Sequence, residues 1–266
     1  MNVTGIITEY NPFHNGHLYH LSEAKKSTNA DAIICVMSGN FVQRGGPAII
    51  DKWQRTEMAL NNGVDLIIEL PTYYAVSSAE FFAKGSVSIL HHLGVVDNLF
   101  FGSECGNVDK LTKISKTLVN EDSKLKSLIK EHLAKGDTFA KAREKSLIEY
   151  LKDEDINKII TSSNNILGIE YIKSILRLNS SISPSTLKRE GSNYNDKNLS
   201  NSFSSATAIR ELIKNKNSLE KLKNIIPEES FKIFSKLQDE NYPFVFDEDL
   251  FKFIKYKNIV KKIVNM

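Results

Sequence analysis

Residues 3–20 read VTGIITEYNPFHNGHLYH, a segment whose pattern indicates the fold. The run Val3–Thr8 is apolar and rich in β-branched residues, which predicts a strand. A turn containing Pro12 follows, and after His14-Asn15-Gly16-His17 the pattern becomes helical. A strand that leads through a tight turn into a helix can bind phosphate, because free N–H groups and the positive end of the helix dipole face the turn. The glycine of the motif lets the backbone come close to a ligand.

Three histidines lie at the predicted start of this helix. His14 and His17 share a face of its first turn, where two imidazoles suit the charge that develops on a phosphoryl group. His14, His17 and His20 could instead bind zinc, although Cys35 and Cys105 lie in or beside strand-like runs and complete no ligand set. The histidines could also be surface residues of an ordinary helix start. The order of strand, HxGH motif and helix favours the phosphate site.

Short apolar runs alternate with helical patterns through the first part of the chain. Further strands and helices are predicted, the strands at Ala32–Met37, Asp65–Leu70 and Asn98–Phe101 and the helices at 17–27, 52–61 and 78–93. Apolar strands separated by helices predict an α/β fold with a Rossmann-like, doubly wound parallel sheet that is covered on both faces. Ligands of such sheets lie at the carboxyl ends of the strands, near the point where the strand order reverses.

The second half of the chain is mainly helical in pattern. Residues 107–171 are helical and lysine-rich, and Thr186–Arg189 is predicted as one more short strand. Residues 191–202 are polar and low in apolar side chains, which predicts a mobile loop. A helix is predicted at 204–214, and short helices follow from residue 218.

These elements predict one large domain and a smaller helical part. We expect an α/β domain at residues 1–215 with a helical insertion at about 107–160, followed by a helical segment at 216–266. The 266 residues are enough for a sizeable core, and 41% hydrophobic with 25% charged residues is ordinary for a globular protein.

Positive charge is concentrated in the second half. The net charge is +3 overall, but residues 1–103 carry −3 and residues 104–266 carry +6. This distribution points weakly to a polyanionic partner of the second half. Solvated lysine-rich helices would produce the same excess.

The sequence favours a cytoplasmic protein without a membrane partner. Two cysteines form no disulfide framework, which is typical of a reducing compartment. The N-terminus has no basic region followed by a long apolar one, so no signal peptide is expected. No apolar run approaches the roughly 20 residues that span a bilayer. The oligomeric state is left open.

A second motif, SSATAIR at residues 204–210, combines hydroxyl groups at a helix start with an arginine. Ser204, Ser205 and Thr207 could simply cap the free N–H groups of the helix. The same groups could instead grip phosphate oxygens, with Arg210 as a charged clamp.

Together the two motifs resemble those of the HxGH nucleotidylyltransferase superfamily, whose second signature is a Ser/Thr-rich helix start that ends in Ile-Arg. Within it, the chain resembles the bacterial tRNA(Met) cytidine acetate ligase family in the segments ITEYNPFHNGHLYHL, SGNFVQRGGPAIIDKW, GVDLIIELPT, FGSE, SNNILGIEYIK and SATAIR. The resemblance runs from Met1 to about Arg210. It implies a sheet of the HxGH nucleotidylyltransferase type followed by a mainly helical portion.

The resemblance also implies a reaction. ATP and acetate would form acetyl-adenylate and pyrophosphate, and the acetyl group would pass to N4 of the wobble cytidine, position 34, of elongator tRNA(Met), giving N4-acetylcytidine. Mg²⁺ is expected with ATP, although the sequence shows no carboxylate cluster that would form a metal site. Two alternatives stay open: a small-molecule adenylyltransferase, and an inactive truncated paralogue that binds RNA or a nucleotide. Members of the family are longer, so a C-terminally shortened chain with an incomplete helical segment is expected.

By resemblance, site residues can be assigned in three groups. The catalytic group is His14, His17 and Arg210. The ATP-binding group is Ile7, Thr8, Glu9, Tyr10, Asn11, Pro12, Phe13, His14, Asn15, Gly16, His17, Leu18, Tyr19, His20, Gly102, Asn165 (or its neighbour Asn164) and Arg189. The phosphate clamp is Ser204, Ser205, Thr207 and Arg210. Three of these residues also have a structural interpretation that needs no ATP: Gly102 as a turn residue, Asn165 as a helix cap and Arg189 as a surface residue. Asp51 and Lys52 are predicted as an N-cap and a solvated lysine.

Overall fold

Five parallel strands form one sheet in the order β3-β2-β1-β4-β5. The computed structural model describes residues 1–153, 155–189, 205–215 and 219–264. Its strands are β1 (Val3–Thr8), β2 (Ala32–Ser38), β3 (Leu66–Leu70), β4 (Asn98–Ser103) and β5 (Ser183–Lys188). The order reverses between β1 and β4, which is where doubly wound sheets bind their ligands. The predicted α/β class and parallel sheet are confirmed.

Helices cover both faces of the sheet. Within the described residues they are α1 (Asn15–Thr28), α2 (Lys52–Asn61), α3 (Thr72–Ala75), α4 (Ala79–His92), α5 (Val108–Val119), α6 (Ser123–Ala134), α7 (Phe139–Leu151), α8 (Ile156–Thr161), α9 (Ser163–Arg177), α10 (Ala206–Lys214), α11 (Glu228–Asp239) and α12 (Asp247–Val264), with a 3₁₀ turn at Leu219–Leu222. None of these described helices is long and apolar enough to cross a membrane.

The strand side chains alternate between two cores, as the period of a β-strand requires. In β2, Ile34 and Val36 pack into the core that includes residues of α4, α5 and α9. Ile33, Cys35 and Met37 pack into the other core, which includes residues of α1, α2, α10 and α11. Both faces of β2 are therefore buried, which explains why its sequence is apolar throughout.

The predicted strands and helices of the first half lie close to the observed ones. The first helix begins at Asn15, two residues before the predicted start, because His14 caps it. The short α3 was not predicted. β5 covers Ser183–Lys188 rather than 186–189. It is an edge strand, which tolerates Pro184 and the weakly apolar sequence SPSTLK.

The prediction of only short helices after residue 218 is wrong for α12, which has 18 residues. Residues 247–264 contain no glycine or proline to interrupt a helix. Acidic residues in the first turn and lysines further along also match the helix dipole. The predicted loop at 191–202 lies outside the described residues.

Candidate active site

A cavity of about 300 Å³ opens at the carboxyl ends of β1, β4 and β5, between the first turns of α1 and α10. Within the stretch 7–20, every residue lines this cavity except Pro12, Phe13, Asn15 and Leu18. The other predicted residues that line it are Gly102, Asn164 (the alternative to Asn165), Arg189, Ser205, Thr207 and Arg210. The cavity therefore brings together motifs that are far apart in the sequence. Ser204 lies outside the described residues.

The first turn of α1 is closed by its own histidines. His14 is the N-cap, and its Nδ1 accepts a hydrogen bond from the Gly16 N–H at 3.0 Å. In return, Nδ1 of His17 accepts from the His14 N–H at 3.3 Å. The two rings stack with their centroids 3.7 Å apart. Because both Nδ1 atoms act as acceptors, each neutral ring carries its proton on Nε2.

Burial keeps these imidazoles neutral. Burial, with Arg189 and Arg210 nearby, lowers the pKa of His14 to about 3. Burial and then His14 lower the pKa of His17 well below its usual value, and burial with Arg189 lowers that of His20 to about 4. The histidines are therefore uncharged hydrogen-bonding groups at neutral pH. An anion in the cavity would favour the protonated forms and raise these pKa values.

Arg210 connects the two motifs directly. Its NH1 group donates a hydrogen bond of 2.8 Å to the carbonyl oxygen of Asn11, 199 residues away in the sequence. Its NH2 group donates to Oγ1 of Thr207 at 3.0 Å. Ser205 is the N-cap of α10, and its Oγ accepts from the Ala208 N–H. The Ser205 hydroxyl therefore caps the helix, as one of the two interpretations predicted, and Ser205 and Thr207 also line the cavity.

Arg189 lies over the end of β4. A Cβ atom added to Gly102 would lie 3.3 Å from Cγ of Arg189, so the glycine makes room for this side chain. NH1 of Arg189 is 3.5 Å from Oδ1 of Asn164, which also lines the cavity. Asn165 does not line it, since this residue is 1% exposed and its Oδ1 accepts from the Cys105 N–H. Of the two neighbours, Asn164 is the one placed at the cavity.

Part of the cavity wall was not predicted. Gln43 and Arg44 come from the loop between β2 and α2, and the glycine-rich sequence after a strand end was the available signal. Phe82, Phe101 and Tyr171 come from α4, β4 and α9. Such apolar residues resemble any other core residue in the sequence, so only the tertiary structure reveals them.

A buried arginine fixes the position of the loop between β2 and α2. Arg55 of α2 is fully buried and donates to the carbonyl oxygens of Glu9 at 2.6 Å and Ser38 at 3.1 Å, and also to that of Gly39. Burial lowers its pKa to about 10, so it stays charged at neutral pH. The ends of β1 and β2 are therefore fixed relative to α2. At the start of α2, Asp51 is the N-cap, as predicted.

The described residues include no group of three or more His, Cys, Asp or Glu side chains that could hold a metal ion. His14, His17 and His20 do not form such a group. The Nδ1 atoms of His14 and His17 accept hydrogen bonds from backbone N–H groups, so their Nε2 atoms carry the ring protons and offer no lone pair to a metal ion.

The sequence model of the HIGH nucleotidyl transferase family matches residues 1–266. This chain belongs to the HIGH nucleotidyl transferase family. The HxGH turn of α1 and the arginine of α10, which meet at one cavity, are features expected of a member. The parallel sheet positions both of them at the strand ends.

Named relatives are similar along nearly the whole chain. A tRNA(Met) cytidine acetate ligase from Clostridium novyi (strain NT) is 53% identical over 264 residues, which is 98% of this chain and 66% of that protein. One from Clostridium botulinum (strain Hall) is 52% identical and covers 97% of this chain and 64% of that protein. The chain thus spans about two thirds of the length of these relatives.

A solved structure has the same fold. The crystal structure of Thermotoga maritima TmcAL bound with alpha-thio ATP superimposes with a TM-score of 0.87 at 42% sequence identity. The match covers 94% of this chain and 59% of that one.

Proposed function

We propose that this protein is an ATP-dependent acetate ligase of the cytoplasm that forms acetyl-adenylate and acetylates N4 of the wobble cytidine, position 34, of elongator tRNA(Met). The product would be N4-acetylcytidine. Support comes from relatives of this name at 52–53% identity and from the similarity to a TmcAL structure bound with an ATP analogue.

The observation that carries the proposal is the contact between the two phosphate-binding helix starts. Arg210 of α10 donates to the turn that precedes α1, so one ligand can touch both motifs. Acetate is a weak nucleophile toward an anionic α-phosphate, and the negative charge of the transition state needs fixed donors and cations. Arg189 and Arg210 supply the cations within one cavity, and the positive end of the α1 dipole points toward the same space.

The proposed role of each residue follows from its place in the cavity. Arg210, Ser205 and Thr207 would clamp the phosphates, with Ser204 assigned to the same clamp by resemblance. His14 and His17 would donate from Nε2 to phosphoryl oxygens. The nucleotide would approach the backbone at Gly102, with Arg189 and Asn164 beside it. Asn165 would act one step away, by holding the turn after β4 through Cys105.

The cavity fits a Mg²⁺ ion that arrives on the triphosphate. Mg²⁺ keeps several waters and binds nucleotides through phosphate oxygens with one or two protein carboxylates at most. The described residues that line the cavity include no carboxylate cluster, so phosphate oxygens and water would supply most ligands of the ion. Mg²⁺ bound to ATP would offset the charge of the phosphates, while the protein residues orient them.

The tRNA partner is proposed on chemistry and charge. A cytosine in an anticodon loop is unpaired, so its amine can be turned out of the stack at little cost. Exposed lysines such as Lys126 and Lys130 on α6 would contact phosphates of the stem.

Labelled pyrophosphate tests the first half-reaction. The protein is incubated with ATP and [³²P]pyrophosphate, with and without acetate, and label in ATP is measured. Exchange that requires acetate supports the ligase. Exchange that requires a phosphate ester instead of acetate would identify a small-molecule adenylyltransferase. Absence of exchange with every acceptor would indicate a protein that binds nucleotide or RNA without turnover.

A further inference from the structure

We propose that the Glu9 carboxylate accepts the amine proton of the acceptor base during acetyl transfer, and that the aromatic wall beside it holds that base. The inference rests on the proposed acetate ligase function and assigns Glu9 a role within it.

Glu9 lies directly after β1 with its side chain at the cavity. Oε1 accepts a hydrogen bond of 2.7 Å from the Gln43 N–H, which fixes the direction of the carboxylate. Among the described residues, no donor is bonded to Oε2. One oxygen is therefore used to orient the group, and the other is available to a substrate.

The region of the cavity at Glu9 differs in charge from the region proposed to bind phosphate. A carboxylate repels the triphosphate, which the arginines and the start of α1 attract. Arg210 nevertheless acts electrostatically on Glu9, as do Arg44 and Arg55. Glu9 thus lies beside the phosphate clamp without belonging to it. The carbonyl carbon of acetyl-adenylate is bonded through oxygen to the α-phosphate, so it would lie between the two.

The wall on this side is aromatic. Phe82, Phe101 and Tyr171 line the cavity and are 3%, 5% and 4% exposed. The rings of Phe101 and Tyr171 meet edge to face with centroids 5.7 Å apart. Burial and then the charge on Glu9 raise the pKa of Tyr171, so the carboxylate lies near this wall. Aromatic rings bind unstacked bases, and a carboxylate accepts from the N4 amine of cytosine.

The carboxylate is suited to take a proton. Burial raises the pKa of Glu9, whereas the Gln43 hydrogen bond and the charges on Arg55, Arg210 and Arg44 oppose this rise. A carboxylate with a raised pKa is a stronger base toward the amine proton.

Acetyl transfer exchanges a carbon–oxygen bond for a carbon–nitrogen bond. The lone pair of N4 forms a bond to the acetyl carbonyl carbon, and the N4 proton passes to Oε2 of Glu9. The bond between that carbon and the phosphate oxygen breaks, and AMP leaves with the electron pair. N4-acetylcytidine, AMP and a protonated Glu9 result, and Glu9 then releases its proton to water.

The test separates transfer from adenylation. Glu9→Gln keeps an oxygen that can accept from Gln43 but removes the charge. Acetate-dependent pyrophosphate exchange reports adenylation, and N4-acetylcytidine in an elongator tRNA(Met) transcript, measured by mass spectrometry, reports transfer. We expect transfer to fall about 100-fold or more, as for loss of a general base, and exchange to fall less than about tenfold. The rise of the wild-type transfer rate with pH should be absent in the variant.

The matched control is Glu69→Gln. Glu69 lies at the end of the neighbouring β3 and pairs with Lys52 outside the cavity, so both rates should stay within about twofold. A parallel loss of exchange and transfer in E9Q would overturn the inference and indicate that Glu9 serves adenylation, for example by binding Mg²⁺. Unchanged transfer in E9Q, or wild-type exchange without any transfer, would overturn it as well. Absence of wild-type exchange would refute the acetate ligase function itself.

Discussion

Replacement of Arg210 by alanine removes the contact that joins the two motifs proposed to bind phosphate. The guanidinium group donates 2.8 Å and 3.0 Å hydrogen bonds to the Asn11 carbonyl and to Thr207. Hydrogen bonds from charged groups contribute about 1.5–3 kcal/mol when buried, but this side chain is only partly buried. We therefore expect the free energy of unfolding to fall by about 2 kcal/mol, and the folded state to persist.

The effect on catalysis should be larger than the effect on stability. A preorganised charge contact to the transition state contributes about 100-fold or more in rate. We expect R210A to lower acetate-dependent pyrophosphate exchange by about this factor, with little change in circular dichroism. Arg210→Lys restores a charge but not the two-pronged geometry, so it should recover only part of the rate.

Lys214→Ala is the control on the same helix. Lys214 pairs with Glu248 at the surface, with 40% and 65% of their side chains exposed, and it does not line the cavity. Its removal should leave exchange within about twofold. An R210A protein that is folded and exchanges at nearly the wild-type rate would refute the convergence of the two motifs on one phosphate site.

Three further predictions concern the histidines, the nucleotide and the tRNA. The pKa of His14 is lowered to about 3, so the unfolded chain binds a proton first and stability falls as the pH drops below about 6.5. His14→Asn keeps a capping group but removes the titrating ring. Between about pH 7 and pH 5, the free energy of unfolding measured in urea should therefore fall by about 1–2 kcal/mol less in the variant than in the wild type; equal falls would show that His14 does not titrate this way. Gly102→Ala should weaken ATP binding severalfold in calorimetry, because its Cβ would press on Arg189; an unchanged Kd would leave Gly102 as a turn residue only. Replacement of Lys126 or Lys130 by alanine should reduce the salt slope of tRNA binding by about 0.7–0.9, whereas Lys232→Ala on α11 should not; equal slopes would place the tRNA elsewhere.

The sequence predicted the sheet and most of the cavity because both depend on local patterns. The apolar run of β1 and the HxGH turn are contiguous, so strand, turn and helix could be located without tertiary information. Only the second half of β5 was located, because an edge strand needs fewer apolar residues.

The charge state of the site and its apolar wall could not be predicted in this way. The low pKa of His14 comes from burial and from two arginines that are distant in sequence. The aromatic wall comes from three separate elements, and the placement of Asn164 rather than Asn165 at the cavity depends on where α9 starts its first turn.

Acetylation of cytidine 34 is the decisive reaction for the proposed function. Elongator tRNA(Met) transcript is incubated with the protein, ATP and [¹³C]acetate, then digested and analysed by mass spectrometry. We expect N4-acetylcytidine at position 34 that carries the labelled acetyl group, requires both ATP and acetate, and is lost with R210A. Unmodified cytidine under conditions where the protein is folded and binds the tRNA would contradict it.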